Sequence, residues 1–160
     1  MKKHIFIVLI GLLCSLQSIA QKKEMANKNY KVKKTEAEWK QKLTPMQFHV
    51  LREAGTERPG TSEFNKFDKK GTYVCAACET PLYESSRKFD AHCGWPSFDK
   101  AIEENIELDV DYKIGYERTE LKCKTCGSHL GHRFNDGPKD TTGQRHCLNG
   151  VALKFIPDDK

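Results

Sequence analysis

Ile106-Glu107-Leu108-Asp109-Val110-Asp111-Tyr112-Lys113-Ile114-Gly115-Tyr116 places a large apolar residue at every even position and Glu, Asp, Lys or Gly at every odd one. An extended chain turns successive side chains to opposite faces, so this alternation predicts one antiparallel strand, Ile106 to Tyr116, with one face buried and the other wet. Outward from it, everything beyond Gly55 has the same texture: short apolar runs separated by Gly, Pro, Asn and Asp. Further strands are expected at Thr72 to Cys75, Arg118 to Cys123 and Val151 to Phe155.

Upstream the pattern is helical. Thr35-Glu36-Ala37-Glu38 has capping-box spacing and starts a short helix through about Leu43. Thr44 is the N-cap of a second, with Pro45 at the first helical position, Gln47 completing the box and Gly55 as terminator. The sum is a mainly β domain with a small helical N-terminal part.

The chain of 160 residues, 38% hydrophobic and 31% charged, suffices for one good core, so a single domain over 35–160 is the default. Residues 1–20 read as a signal peptide: Lys2 and Lys3, an apolar run from Ile5 to Leu13, and the small-residue site Ser18-Ile19-Ala20. The apolar run is shorter than the roughly 20 residues that cross a bilayer, so no membrane insertion is expected after cleavage. Leu13 before Cys14 lacks the small residue of a lipoprotein signal. Export to the periplasm or the medium follows.

The net charge of +5 does not mark a nucleic-acid binder. Residues 21–42 hold eight lysines against three glutamates, which leaves 43–160 slightly acidic. Residues 21–34 read as a Lys-rich leader, a solvated tether.

Six cysteines follow the signal. Cys75-Ala76-Ala77-Cys78 and Cys123-Lys124-Thr125-Cys126 are two Cys-x-x-Cys pairs separated by 44 residues. Each pair fits a tight turn aiming two thiolates at one point, and two such turns complete one structural zinc site. A thioredoxin-like redox pair would open a helix, which Thr80-Pro81 forbids after the first pair. Two disulfides are the other alternative in an oxidising compartment.

Cys93 and Cys147 remain. Parity alone allows a plain structural disulfide. Cys93 lies in the turn-rich, aromatic stretch His92-Cys93-Gly94-Trp95-Pro96-Ser97-Phe98, and Cys147 in Arg145-His146-Cys147-Leu148-Asn149, whose cationic or ionisable neighbours favour a thiolate. Ser128-His129-Leu130-Gly131-His132 adds two imidazoles that suit proton or hydrogen-bond donation to a reacting group.

With Gly55-Thr56-Glu57 and Asp136-Gly137-Pro138, these motifs resemble, in order and over Thr44 to Pro157, the B-type peptide-methionine (R)-S-oxide reductases. The resemblance implies two antiparallel sheets with short N-terminal helices and one structural zinc remote from the chemistry. It implies that Cys147 attacks the sulfoxide sulfur and becomes a sulfenic acid, and that Cys93 resolves it as a disulfide. Trp95 resembles the residue against the substrate methyl group. His129, His132 and Asn149 resemble those that polarise or protonate the sulfoxide oxygen, supported by Arg145 and Asp136. The implied partners are oxidised proteins or peptides and a thioredoxin-like reductant, with no nucleotide, flavin or nucleic acid and a monomeric protein. His146 stands where the family has Tyr or Phe, and His92 where Gly is frequent. A zinc-ribbon binding module using Trp95, Phe98 and Tyr116 as contact aromatics is the rival reading, with a thiol-disulfide oxidoreductase as the third.

Overall fold

In the computed structural model, which describes residues 29–158, Thr35 and Thr44 start two helices by one device. The Thr35 hydroxyl accepts from the Glu38 N–H and the Glu38 carboxylate accepts from the Thr35 N–H, ahead of α1 (Glu36–Lys42). Thr44 and Gln47 repeat the exchange ahead of α2 (Pro45–Glu53), each box satisfying N–H groups that a helix start leaves bare. The terminator of α2 differs from expectation. Ala54, not Gly55, takes the left-handed conformation at φ 51°. Gly55 is needed for room instead, since a Cβ there would sit 2.2 Å from Nε2 of His49.

Nine strands follow in two antiparallel sheets. The first has the order β2-β1-β9, from Pro81–Glu84, Gly71–Cys75 and Leu153–Pro157. The second has the order β3-β4-β8-β7-β6-β5. Its strands are β3 (Lys88–Phe89), β4 (Ser97–Phe98), β5 (Ile106–Asp111), β6 (Arg118–Cys123), β7 (His129–Phe134) and β8 (Arg145–Leu148). The motifs at 97–98, 129–134 and 145–148, unassigned to strands from sequence, thus form the middle of this sheet.

The sheets meet through aromatic rings. Tyr73 of β1 lies 5.0 Å from Phe98 of β4 and Tyr83 of β2 lies 4.6 Å from it, centroid to centroid, and all three are 0% exposed. Leu121, Leu130 and Leu148 extend this core across β6, β7 and β8, and Val50 and Leu51 of α2 close it. Phe98 is therefore a core residue and not a contact aromatic, which removes one support of the binding-module reading. Burying such a ring contributes about 1.5–3 kcal/mol.

Two of the expected strands need correction. β5 stops at Asp111, and the chain turns through Tyr112 and Gly115, with the Gly115 N–H on the Tyr112 carbonyl at 3.0 Å and Gly115 at φ 88°. Nor is its apolar face buried: Ile106 is covered, but Leu108 and Val110 are 48% and 49% exposed, and Tyr112, Ile114 and Tyr116 lie open on the hairpin. β5 is the edge of the sheet, where the core layer ends, and it is polar Asp111 that is buried. The last strand begins at Leu153 and not Val151, because residues 150–152 form a 3-10 turn.

The signal peptide and residues 21–28 of the leader lie outside the described residues. Within the rest of the leader, the Val32 N–H bonds the Thr125 carbonyl at 3.0 Å and Val32 packs against the core. Among the described residues no helix is long and apolar enough to cross a membrane.

Candidate functional site

The two Cys-x-x-Cys turns are built alike. The Glu79 N–H bonds the Cys75 carbonyl at 2.8 Å after β1, and the Gly127 N–H bonds the Cys123 carbonyl at 2.7 Å after β6. Each turn exits through a left-handed residue, Glu79 at φ 61° and Gly127 at φ 70°. The four sulfurs lie within 4.8 Å of one another. Their nearest contacts cross between the turns, Cys75 to Cys126 at 3.8 Å and Cys78 to Cys123 at 3.6 Å. Tetrahedral zinc with bonds of about 2.3 Å sets sulfurs about 3.8 Å apart, so these residues fit the ion. Each turn lies between strands, which excludes a helix-borne redox pair, and one turn comes from each sheet.

The second thiol set is elsewhere. Cys147 is in β8, and its cross-strand neighbours are Ser97 in β4 and His132 in β7. Cys93 reaches it from a loop anchored to residues 58–65: the Gly94 carbonyl accepts from the Gly60 N–H at 2.7 Å and from Asn65 Nδ2 at 3.0 Å. Gly94 has φ 89°, and a Cβ there would meet Pro59 Cβ at 2.7 Å. His92 also sits in left-handed space, at φ 52°, which accounts for Gly being frequent at that position in the family it resembles. The Cys93 and Cys147 sulfurs stand 3.7 Å apart as free thiols.

One expectation is reversed. Burial pushes the Cys147 thiol up to about 12, aided by the nearby Cys93 charge. Burial also acts against the Cys93 thiolate, but contacts with Ser97, the Trp95 backbone and Cys147, with the Arg145 charge, hold Cys93 below the usual thiol range. The negative charge of the pair rests on Cys93. His146 cannot help Cys147, because adjacent strand residues face opposite ways. Its ring points into the core, with Nδ1 3.0 Å from the Tyr83 hydroxyl. Arg145, two positions from Cys147, does lower both sulfurs. Its guanidinium lies on the Phe134 ring at 4.4 Å and donates to both Asp136 oxygens at 2.8 and 2.9 Å.

Both histidines are braced by carboxylates further out on the sheet. His132 Nε2 lies 2.7 Å from Asp111 Oδ2, which also accepts from Arg118 at 2.5 Å. His129 Nδ1 lies 2.6 Å from Glu120 Oε1, leaving its Nε2 buried and without a partner. A carboxylate accepts, so a proton sits on the nitrogen facing it, which leaves the other nitrogen of each ring for a further partner. The two rings are 5.2 Å apart. Burial lowers the His132 pKa in spite of Asp111, so the ring is neutral at pH 7.

Trp95 and Asn149 converge on one residue to which sequence reasoning assigned no role. The Trp95 indole N–H donates to the Glu57 carbonyl at 3.2 Å, and the Glu57 N–H donates to Asn149 Oδ1 at 2.9 Å. The buried Glu57 carboxylate accepts the N–H groups of Gly150 and Val151, at 2.5 and 3.0 Å, and so makes the 150–152 turn that delays β9. Asn149 Nδ2 donates to the Leu130 carbonyl at 3.1 Å. Asp111 and Glu120 were likewise missed as supports. Their partners lie 21 and 9 positions away, and only the place of Glu57 beside Gly55 and Thr56 in the motif set drew notice to it.

Two antiparallel sheets joined by a four-cysteine knot that could hold one metal ion, with a separate dithiol beside two braced imidazoles, define the class of β protein. The SelR domain model matches residues 43–157, and the chain belongs to that family. A protein of Chromohalobacter salexigens named peptide methionine sulfoxide reductase MsrB is 52% identical over 130 residues, 81% of this chain and 98% of its own. Proteins of the same name from Leifsonia xyli and Burkholderia cenocepacia are 48% and 47% identical, over 82% and 81% of this chain and 95% and 91% of theirs.

Proposed function

We propose that the protein is an exported peptide-methionine (R)-S-oxide reductase that repairs methionine in oxidised proteins or peptides. The observation that carries this reading is the 3.7 Å separation of the Cys93 and Cys147 sulfurs in a chain of the SelR family, whose relatives are named peptide methionine sulfoxide reductase.

The residues divide the work as follows. The substrate methyl group lies against Trp95, which selects one epimer by shape. The sulfoxide oxygen is held by the Asn149 amide and takes its proton through His129 or His132, whose far nitrogen donates once the ring is protonated, with the carboxylates of Glu120 and Asp111 keeping the rings oriented. The Cys147 proton passes to Cys93 along the S···S line, and the Cys147 thiolate attacks the sulfoxide sulfur. The oxygen takes a proton and stays on Cys147 as a sulfenic acid while methionine leaves. Cys93 then condenses with the sulfenic acid to a disulfide and water, and a thioredoxin-like dithiol protein outside the cytoplasm reduces it. Zinc, held by Cys75, Cys78, Cys123 and Cys126, supplies a structural tie between the sheets. The reductase works as a monomer after loss of residues 1–20.

A single-turnover reaction of the reduced protein with each sulfoxide epimer tests this. One methionine per chain and the loss of two thiols are expected from the R epimer alone. Cys147→Ser abolishes it, and Cys93→Ser completes one turnover without thioredoxin-driven recycling. Activity retained in Cys147→Ser would overturn the scheme.

A further inference from the structure

Ser97 is 1% exposed and faces Cys147 across the β4–β8 pair. Its hydroxyl oxygen lies 3.4 Å from the Cys93 sulfur, its own proton rests on the Trp95 carbonyl at 3.2 Å, and its place in the strand register sets it opposite Cys147, whose thiol it helps to lower. This hydroxyl therefore lies beside both sulfurs.

Disulfide formation poses a geometrical problem that this placement answers. The new S–S bond forms along the line between the sulfurs, so the Cys93 proton cannot leave by that line. The neighbours on its flank are the Ser97 hydroxyl at 3.4 Å and the Trp95 carbonyl at 3.5 Å. A carbonyl only accepts, whereas a hydroxyl accepts one proton and donates another.

We propose that Ser97 is a catalytic residue of the resolving step, the proton relay between Cys93 and the departing oxygen of Cys147. The Cys93 S–H gives its proton to Ser97 Oγ as its sulfur attacks the Cys147 sulfenic sulfur. The Ser97 O–H proton passes to the leaving hydroxide, the Cys147 S–O bond breaks, and the products are the Cys93–Cys147 disulfide and water. Cys93 is oxidised, the sulfenic sulfur is reduced, and Ser97 ends as it began. The sequence of events rests on the reading of Cys147 as the sulfur that is oxidised.

The test separates resolution from sulfoxide chemistry. Hydrogen peroxide carries the dithiol to a sulfenic acid without any sulfoxide, mass spectrometry of the dimedone adduct is expected to find it on Cys147, and stopped-flow thiol loss then follows the disulfide step; an adduct on Cys93 would overturn the relay. In Ser97→Ala the trapped sulfenic acid accumulates and the disulfide forms about tenfold or more slowly, within the span that removal of a general acid–base group produces. Ser97→Thr and Ser97→Val have the same shape, so packing damage moves both alike; the relay predicts that only Thr resolves at close to the wild-type rate. Wild-type disulfide rates in Ser97→Ala, or equal rates in Thr and Val, would overturn the relay. If wild type makes no methionine while the peroxide arm still shows slow resolution in Ala and Val alone, the relay stands and the reductase reading falls.

Discussion

The N–H of Glu57 donates to the side-chain oxygen of Asn149 at 2.9 Å across 92 positions of sequence. The same residue's carbonyl holds Trp95 and its carboxylate holds the turn after Asn149. Glu57→Gln keeps one acceptor for two N–H groups and is expected to cost about 1–3 kcal/mol in urea unfolding. Because the sulfurs do not touch Glu57, peroxide-driven disulfide formation is expected unchanged while KM for a sulfoxide peptide rises. An unchanged KM would separate Glu57 from the substrate face.

The four-cysteine knot takes Cys75 and Cys78 from one sheet and Cys123 and Cys126 from the other. The purified protein is expected to carry one zinc per chain. Structural zinc contributes on the order of 10 kcal/mol or more in small domains. Stripping the metal under reducing conditions, or Cys123→Ser, is expected to abolish the near-UV circular dichroism of the aromatic core. A full native melt without metal would contradict the role.

His146 is buried, with its pKa lowered from 6.5 to about 4 by burial first and by Arg133 second. The native state holds the ring neutral while the unfolded chain protonates it at 6.5, so its stability contribution is whole above pH 6.5. It falls away between 6.5 and about 4, by roughly 3 kcal/mol in all. His146→Phe removes this acid loss but leaves the Tyr83 hydroxyl unpaired, at about 1–3 kcal/mol. The variant is therefore less stable than wild type at pH 7, and the difference narrows toward pH 4.5 in urea titrations.

Arg145 pulls both reactive sulfurs down by its charge while itself bound to Asp136. Arg145→Met is expected to move the pH profile of iodoacetamide alkylation to higher pH. An unmoved profile would show that the hydrogen bonds around Cys93 act alone.

Val110 and Leu108 look like core residues in the alternation but stand about half exposed on the edge strand. Val110→Lys is accordingly expected to change stability by no more than about 0.5 kcal/mol, against several for Leu121→Ala on the adjacent β6. Guanidinium melts compare the two.

What could be read beforehand was local. The capping boxes at Thr35 and Thr44 and the two Cys-x-x-Cys turns each close over three positions, so spacing alone specifies them. The alternation at Ile106 to Val110 reported which side chains share a face, but not that β5 lies at an edge where the core stops. β7 and β8 lacked alternation because His132 and His146 are buried polar residues whose partners, Asp111 and Tyr83, are remote in the chain. For the same reason the neighbours of Cys147 misled: proximity in sequence put His146 beside the thiol, and the pleat turned it away. Glu57 was invisible as a brace because half of its contacts are made by its backbone, which any residue type would supply.

The two sulfurs at 3.7 Å bear on competition as well as on mechanism. Well-oriented intramolecular groups behave as if present at effective molarities of up to about 10⁵–10⁸ M, whereas small thiols and peroxide in solution are millimolar or less. In the proposed cycle a sulfenic acid on Cys147 would thus be intercepted by Cys93 before either could reach it, and the irreversible climb to sulfinic acid would be avoided by kinetics alone. Under oxidant excess the enzyme would then idle as its own disulfide, a form that a suitable dithiol would return to service.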